Sequence, residues 1–164
     1  MLVTRPHTTG NEMLKIIVYG EPVPQGSKTA GKMKNGNPYV RDANARALKT
    51  WRKNVHGECV AAMRNAGIAT LDGPIVVHAK YFFPHTQKSK EGMVKITAPD
   101  LDKINRSTGD ALESSKLIVN DARIVGWPAT PAKFYSDTPR AEIVVGTLDE
   151  FFDKITRGDD SGQK

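Results

Sequence analysis

The chain has 164 residues, a formal net charge of +6, 38% hydrophobic and 26% charged residues, and a pI near 9.5. These values exclude wholesale disorder and favour one folded domain over two. No apolar run approaches the roughly 20 residues that span a bilayer, Met1 to Glu12 lacks the apolar stretch of a secretory signal, and the lone Cys59 cannot form an internal disulfide, so a soluble, cytoplasmic protein is expected.

Residues 1–12 read as a flexible leader, and Leu14 to Tyr19 as a first strand. Pro22, Pro24 and Gly26 then break regularity, and the Asn35-Gly36 pair between short extended pieces signals a hairpin. From Ala43 to about Ala66, Leu48, Trp51, Val55, Cys59 and Met63 recur at spacings of three and four, as one face of a helix does. After the Asp72-Gly73-Pro74 turn, Ile75 to Phe83 is rich in β-branched and aromatic residues and predicts a core strand. Pro84 to Ala98 reads as a mobile basic loop, followed by a helix near Asp102 to Glu113.

Beyond that helix come extended pieces near Arg123 to Trp127, Ala132 to Tyr135 and Ala141 to Leu148, and a tail, residues 151–164, expected to be flexible. The sum is a single α+β (α/β-like) domain over residues 13–150, a small mixed sheet packed against about two helices.

Charge is concentrated between Ser27 and Lys53, where Lys28, Lys32, Lys34, Arg41, Arg46, Lys49, Arg52 and Lys53 face the lone acid Asp42. A solvated face would look the same; a nearby active site would make it a surface for a polyanion.

Asp100 and Asp102 flank Leu101, so in an extended segment their carboxylates project to one side. Such a pair suits Mg²⁺ or Mn²⁺, which accept carboxylate and water oxygens, yet it also suits a helix N-cap followed by a first-turn acid. A helix running on from Asp102 places Arg106 and Asp110 one and two turns further along the same face, with Ile104, Thr108, Ala111 and Leu112 as its buried stripe. Asn120-Asp121 interrupts two apolar runs and by itself reads as a turn. His56 and His85 stand alone in the sequence and receive no function.

The run Pro99-Asp100-Leu101-Asp102, then Arg106, Asp110, Ala111 and Leu112, then Leu117 to Val119, Asn120-Asp121 and Ile124-Val125 resembles the signature of the RusA family of Holliday junction resolvases. Gly20 to Ser27 is similar to the Pro-rich turn after the first strand of those enzymes, so the resemblance spans roughly Ile16 to Val145. It implies a metal-dependent endodeoxyribonuclease, Mg²⁺ with Mn²⁺ as a substitute, that cuts four-way DNA by paired nicks as a homodimer in recombination and repair. A bacterial or phage-infected cell is the setting it suits.

The resemblance further implies Asp100, Asp102 and Asp121 as catalytic metal ligands and Arg106 at the position of a catalytic lysine. Lys28, Lys32, Lys34, Arg41, Arg46, Lys53 and Lys103 are the expected DNA contacts, by neutralising phosphates. Three positions depart from the pattern: Lys103 replaces asparagine, Arg106 replaces lysine, and Asn120 replaces the first acid of an Asp-Asp pair. Arg106 keeps the charge but donates no proton at neutral pH, which leaves a non-catalytic branched-DNA-binding protein as the alternative.

Overall fold

Five strands, β1 (Leu14–Tyr19), β4 (Ile75–Phe83), β5 (Ile124–Gly126), β6 (Lys133–Tyr135) and β7 (Arg140–Thr147), build one mixed sheet in this computed structural model. The structure describes residues 13–26, 28–42, 44–130 and 132–158; the expected leader, 1–12, lies outside them. β7 pairs antiparallel with both β1 and β4, while the far side of β4 pairs in parallel with β5 near its start and with β6 near its end. Two further strands, β2 (Lys28–Lys32) and β3 (Pro38–Asp42), form an antiparallel ribbon that is a sheet of its own.

Alternation explains β1, whose Leu14, Ile16 and Val18 are buried while the residues between them face outward. β4 has no exposed position, with His78, Lys80 and Phe82 partly buried and the rest buried, because it has strands on both edges. The ribbon turns where the Asn-Gly pair predicts, with Gly36 at φ +85° and Met33 and Asn37 closing the turn by a 2.8 Å backbone hydrogen bond.

Helix α1 (Ala45–Ala66) buries Leu48, Trp51, Val55 and Cys59 of the predicted stripe, with Met63 half-buried at its end, against β1 and helix α2 (Leu101–Ser114). It ends at Gly67, whose left-handed backbone lets its N–H reach the Arg64 carbonyl. Burial pushes the Cys59 thiol up to about 11, so it is a packing residue rather than a nucleophile. α2 buries Ile104, Thr108, Ala111 and Leu112, as its spacing predicts, together with Ser107 and Gly109.

The Pro-rich turn bridges the two helices. Ser107 Oγ donates to the Val23 carbonyl at 2.7 Å, the Gln25 N–H donates to the Lys103 carbonyl at 3.0 Å, and Asn44 Nδ2 donates to the Pro24 carbonyl at 3.0 Å.

Two segments differ from expectation. The loop after β4 does not run free: residues 92–95 exchange backbone hydrogen bonds with β6, and Val94 bridges Phe134. A third helix, α3 (Leu148–Gly158), occupies most of the stretch expected to be tail, against the sheet's β7 and β4. Its start is a capping box, in which the Thr147 N–H donates to Glu150 Oε2 and the Glu150 N–H donates back to Thr147 Oγ1.

Tyr81 joins the sheet to α2. Its hydroxyl, fully buried, donates to Asn105 Oδ1 at 3.0 Å and lies 3.0 Å from Thr108 Oγ1, and burial pushes its phenol well above the ordinary value. Tyr81→Phe is expected to cost about 1–2 kcal/mol, because it strips a buried hydroxyl of its partner; a urea midpoint equal to wild type would show that the pair adds nothing.

Candidate active site

The first turns of α2 and a one-turn 3-10 helix, Asp121–Arg123, enclose a cleft of about 310 Å³. Asp102, Asn105, Arg106, Gly109, Asp121, Ile124 and Trp127 line it. Asp102 and Arg106 arrive there as i and i+4 on one helix face. Asp121 arrives from the far side of the chain, twelve residues after the helical glycine it approaches. A β-carbon on Gly109 would stand 3.9 Å from the Asp121 β-carbon and 3.5 Å from Ile124, so the glycine lets the turn close on the helix.

Asp121 is held by its backbone rather than its carboxylate. Its N–H donates to Glu113 Oε2 at 3.0 Å, while Asn120 Oδ1 caps the turn by accepting from the Ala122 N–H at 2.8 Å. Asn120 thus takes the capping work, and the Asp121 carboxylate is left to the cleft. Among the described residues neither Asp102 nor Asp121 has a cationic partner within ion-pair distance.

Asp100 behaves differently. It occupies the N-cap position of α2 but makes no side-chain cap hydrogen bond; its Oδ2 pairs instead with Lys103 Nζ at 3.0 Å. Capping therefore does not account for the Asp-x-Asp pair, and Asp100 is not among the residues that line the cleft. Two hydrogen bonds fix the segment that leads to it, since Lys133 Nζ donates to the Thr97 and Pro99 carbonyls at 2.9 and 2.8 Å.

The expected ladder of charges along α2 is broken at Asp110. That carboxylate pairs with Arg52 of α1, whose guanidinium also donates to Gln25 Oε1 at 3.1 Å. Desolvation pushes the Asp110 carboxyl up, Arg52 pulls it down, and the negative charges of Asp121 and Glu113 push it up again. Arg52, Asn105, Glu113 and Trp127 carry or frame the site although no motif in the sequence marks them for it. Their contribution depends on pairing between α1, α2 and the 3-10 turn, which spacing along one segment does not reveal.

Of the expected DNA contacts, Lys28, Lys32 and Lys34 are exposed on the ribbon, and Arg46 and Lys53 are exposed on α1. The side chain of Arg41 lies outside the described residues. Lys103 is half-buried on Asp100.

An α+β domain that brings two carboxylates, without an ion pair among the described residues, and an arginine to one cleft, and that also carries a basic ribbon, has the make-up of a nuclease. The sequence model of the family described as Endodeoxyribonuclease RusA matches residues 20–146, and the chain belongs to that family. It is also similar to YqaN of Bacillus subtilis (strain 168), described as uncharacterized, with 27% identity over 146 residues that cover 82% of this chain and 96% of the relative. No helix among the described residues is long and apolar enough to cross a membrane.

Proposed function

We propose that this chain is a metal-dependent, structure-selective endodeoxyribonuclease that resolves four-way DNA junctions by paired symmetric nicks in recombination and repair. The observation that carries this reading is the meeting of Asp102, Asp121 and Arg106 on one cleft, with neither carboxylate in an ion pair among the described residues. Two exposed carboxylates are hard oxygen donors of the kind Mg²⁺ and Mn²⁺ accept. Asp102 and Asp121 would hold the ion, and Asp100 would join them on releasing Lys103.

Bound there, the ion would supply Lewis acidity and a water of lowered pKa. Arg106, fixed on α2 in the same cleft, contacts the scissile phosphate and offsets the charge that builds on its oxygens. With a permanently charged guanidinium in place of an amine, this chain stabilises charge there and does not deliver a proton. A twofold dimer would present two such clefts to the two symmetric strands of a junction.

Lys32 and Lys34, exposed at the turn of the ribbon, neutralise backbone phosphates. Lys32→Ala with Lys34→Ala is expected to flatten the slope of log K against log salt by up to about 2, near 0.9 for each phosphate left without its lysine. Junction affinity measured from 50 to 200 mM salt checks this; an unchanged slope would place the phosphate-binding residues elsewhere.

The direct test incubates the purified chain with a labelled four-way junction or a matched linear duplex, in Mg²⁺, Mn²⁺ or EDTA. Paired nicks on the junction alone, lost in EDTA, support the proposal. Tight, salt-dependent binding with no nicking in either metal would instead assign a branched-DNA-binding protein.

A further inference from the structure

We propose a second divalent-cation site, separate from the aspartate cleft, in which His85, Glu91 and Asp137 bind a first-row transition metal of the Zn²⁺ class. The three residues come from the loop after β4 and from the turn between β6 and β7, and their potential ligand atoms all lie within 4.8 Å of one another. His85 Nε2 stands 3.1 Å from Glu91 Oε2 and 3.2 Å from Asp137 Oδ1. Ligand bonds of about 2.0–2.2 Å at tetrahedral or octahedral angles set donor atoms roughly 3.0–3.5 Å apart. Asp100, Asp102 and Asp121 are not drawn together to this spacing.

The imidazole is oriented before any ligand arrives. Its Nδ1 is 3.0 Å from Ser89 Oγ, its ring stacks on Tyr135, and Nε2 is thereby the nitrogen turned toward the two carboxylates. A second hydrogen-bonded partner on the other ring nitrogen is the usual support of a metal-ligating histidine. Glu91 is fixed as well, accepting from Ser136 Oγ at 2.8 Å and from the Asp137 N–H at 2.7 Å.

Electrostatics point the same way. Two carboxylates share this spot, and among the described residues their ion-pair partner is His85, since nearby Arg140 is paired with Glu142. The two carboxylates together carry a charge of −2, which a dication replacing the proton on Nε2 balances. One nitrogen and two carboxylate oxygens, with the rest of the shell open to water, favour Zn²⁺ over Mg²⁺. Occupied, the site cross-links the start of the loop to the β6–β7 turn, and the loop continues along β6 toward Asp100.

Isothermal titration of Zn²⁺ into the full chain, with Mg²⁺ in excess, tests the proposal on wild type, His85→Ala, Asp137→Asn and Asp102→Asn, each checked for folding by its urea midpoint. One site is expected in wild type, unchanged in Asp102→Asn and weakened more than about tenfold in His85→Ala and Asp137→Asn. In the wild type the ¹⁵N resonance of His85 Nε2 should shift on titration, and Zn²⁺ should raise Tm. Absence of Zn²⁺ binding, equal affinity in His85→Ala, or a loss confined to Asp102→Asn would overturn it. Because none of these readouts involves DNA, the result is independent of the nuclease reading.

Discussion

Asp102→Asn is expected to slow metal-dependent nicking of a four-way junction by roughly 10²–10³-fold, the size of loss seen when one preorganised electrostatic group is removed from a reaction site. The exchange keeps the side chain's shape and removes its charge. Asp102 has no ion pair among the described residues and sits exposed in the first turn of α2, so the stability change should stay within about 1 kcal/mol, the range of a helix-dipole interaction. Junction binding should be kept, since the lysines proposed to neutralise the flanking phosphates belong to the ribbon and α1, and removing a negative charge from the cleft does not repel DNA. Single-turnover cleavage and a binding titration on the same junction separate the two effects. A variant that cuts at the wild-type rate would remove Asp102 from the ligand set.

Ile104→Ala is the substitution expected to harm the fold most directly beneath the site. Ile104 is fully buried on α2 between the two helices and the sheet, and truncating such a side chain costs about 2–5 kcal/mol through forfeited transfer energy and the cavity left behind. For a chain of this size each kcal/mol lowers Tm by about 2–4 °C. Its carbonyl also accepts from Ser107 Oγ, which holds the Pro-rich turn, so loosening here should propagate to the junction of Val23 with α2. Calorimetry on the variant checks the size; a Tm within a degree of wild type would mean that the core collapses around the gap.

What could be read from the sequence follows the range of the forces involved. The stripes of α1 and α2 and the alternation of β1 are set by neighbours three, four or two residues away, and all are legible. So is the Asn-Gly turn of the ribbon. The Thr147-x-x-Glu150 capping box is equally local, yet with little apolar beyond Phe151, Phe152 and Ile155 the sequence does not reveal helix α3. At the site, the spacing of Asp102 and Arg106 places them on one helix face correctly. The partnerships of Asp100 with Lys103 and of Asp110 with Arg52 cannot be foreseen in the same way, because each carboxylate has several cations within reach of its chain segment. His85 is the clearest case: its two carboxylate neighbours are 6 and 52 residues away, and only the return of the chain through β6 brings Asp137 back to it.

The basic ribbon and the framework around the cleft divide the chain's positive charge between two kinds of work. Arg52, Lys103 and Lys133 are engaged inside the protein, on Asp110, on Asp100 and on the carbonyls of residues 97 and 99, whereas the lysines of the separate two-stranded sheet stand in solvent. On the proposed function, guidance of a polyanion falls to one part of the molecule and turnover to another. Ionic strength screens exposed charges over about 10 Å at 0.1 M. Added salt should therefore throttle the rate of encounter while leaving the speed of a complex already formed nearly untouched.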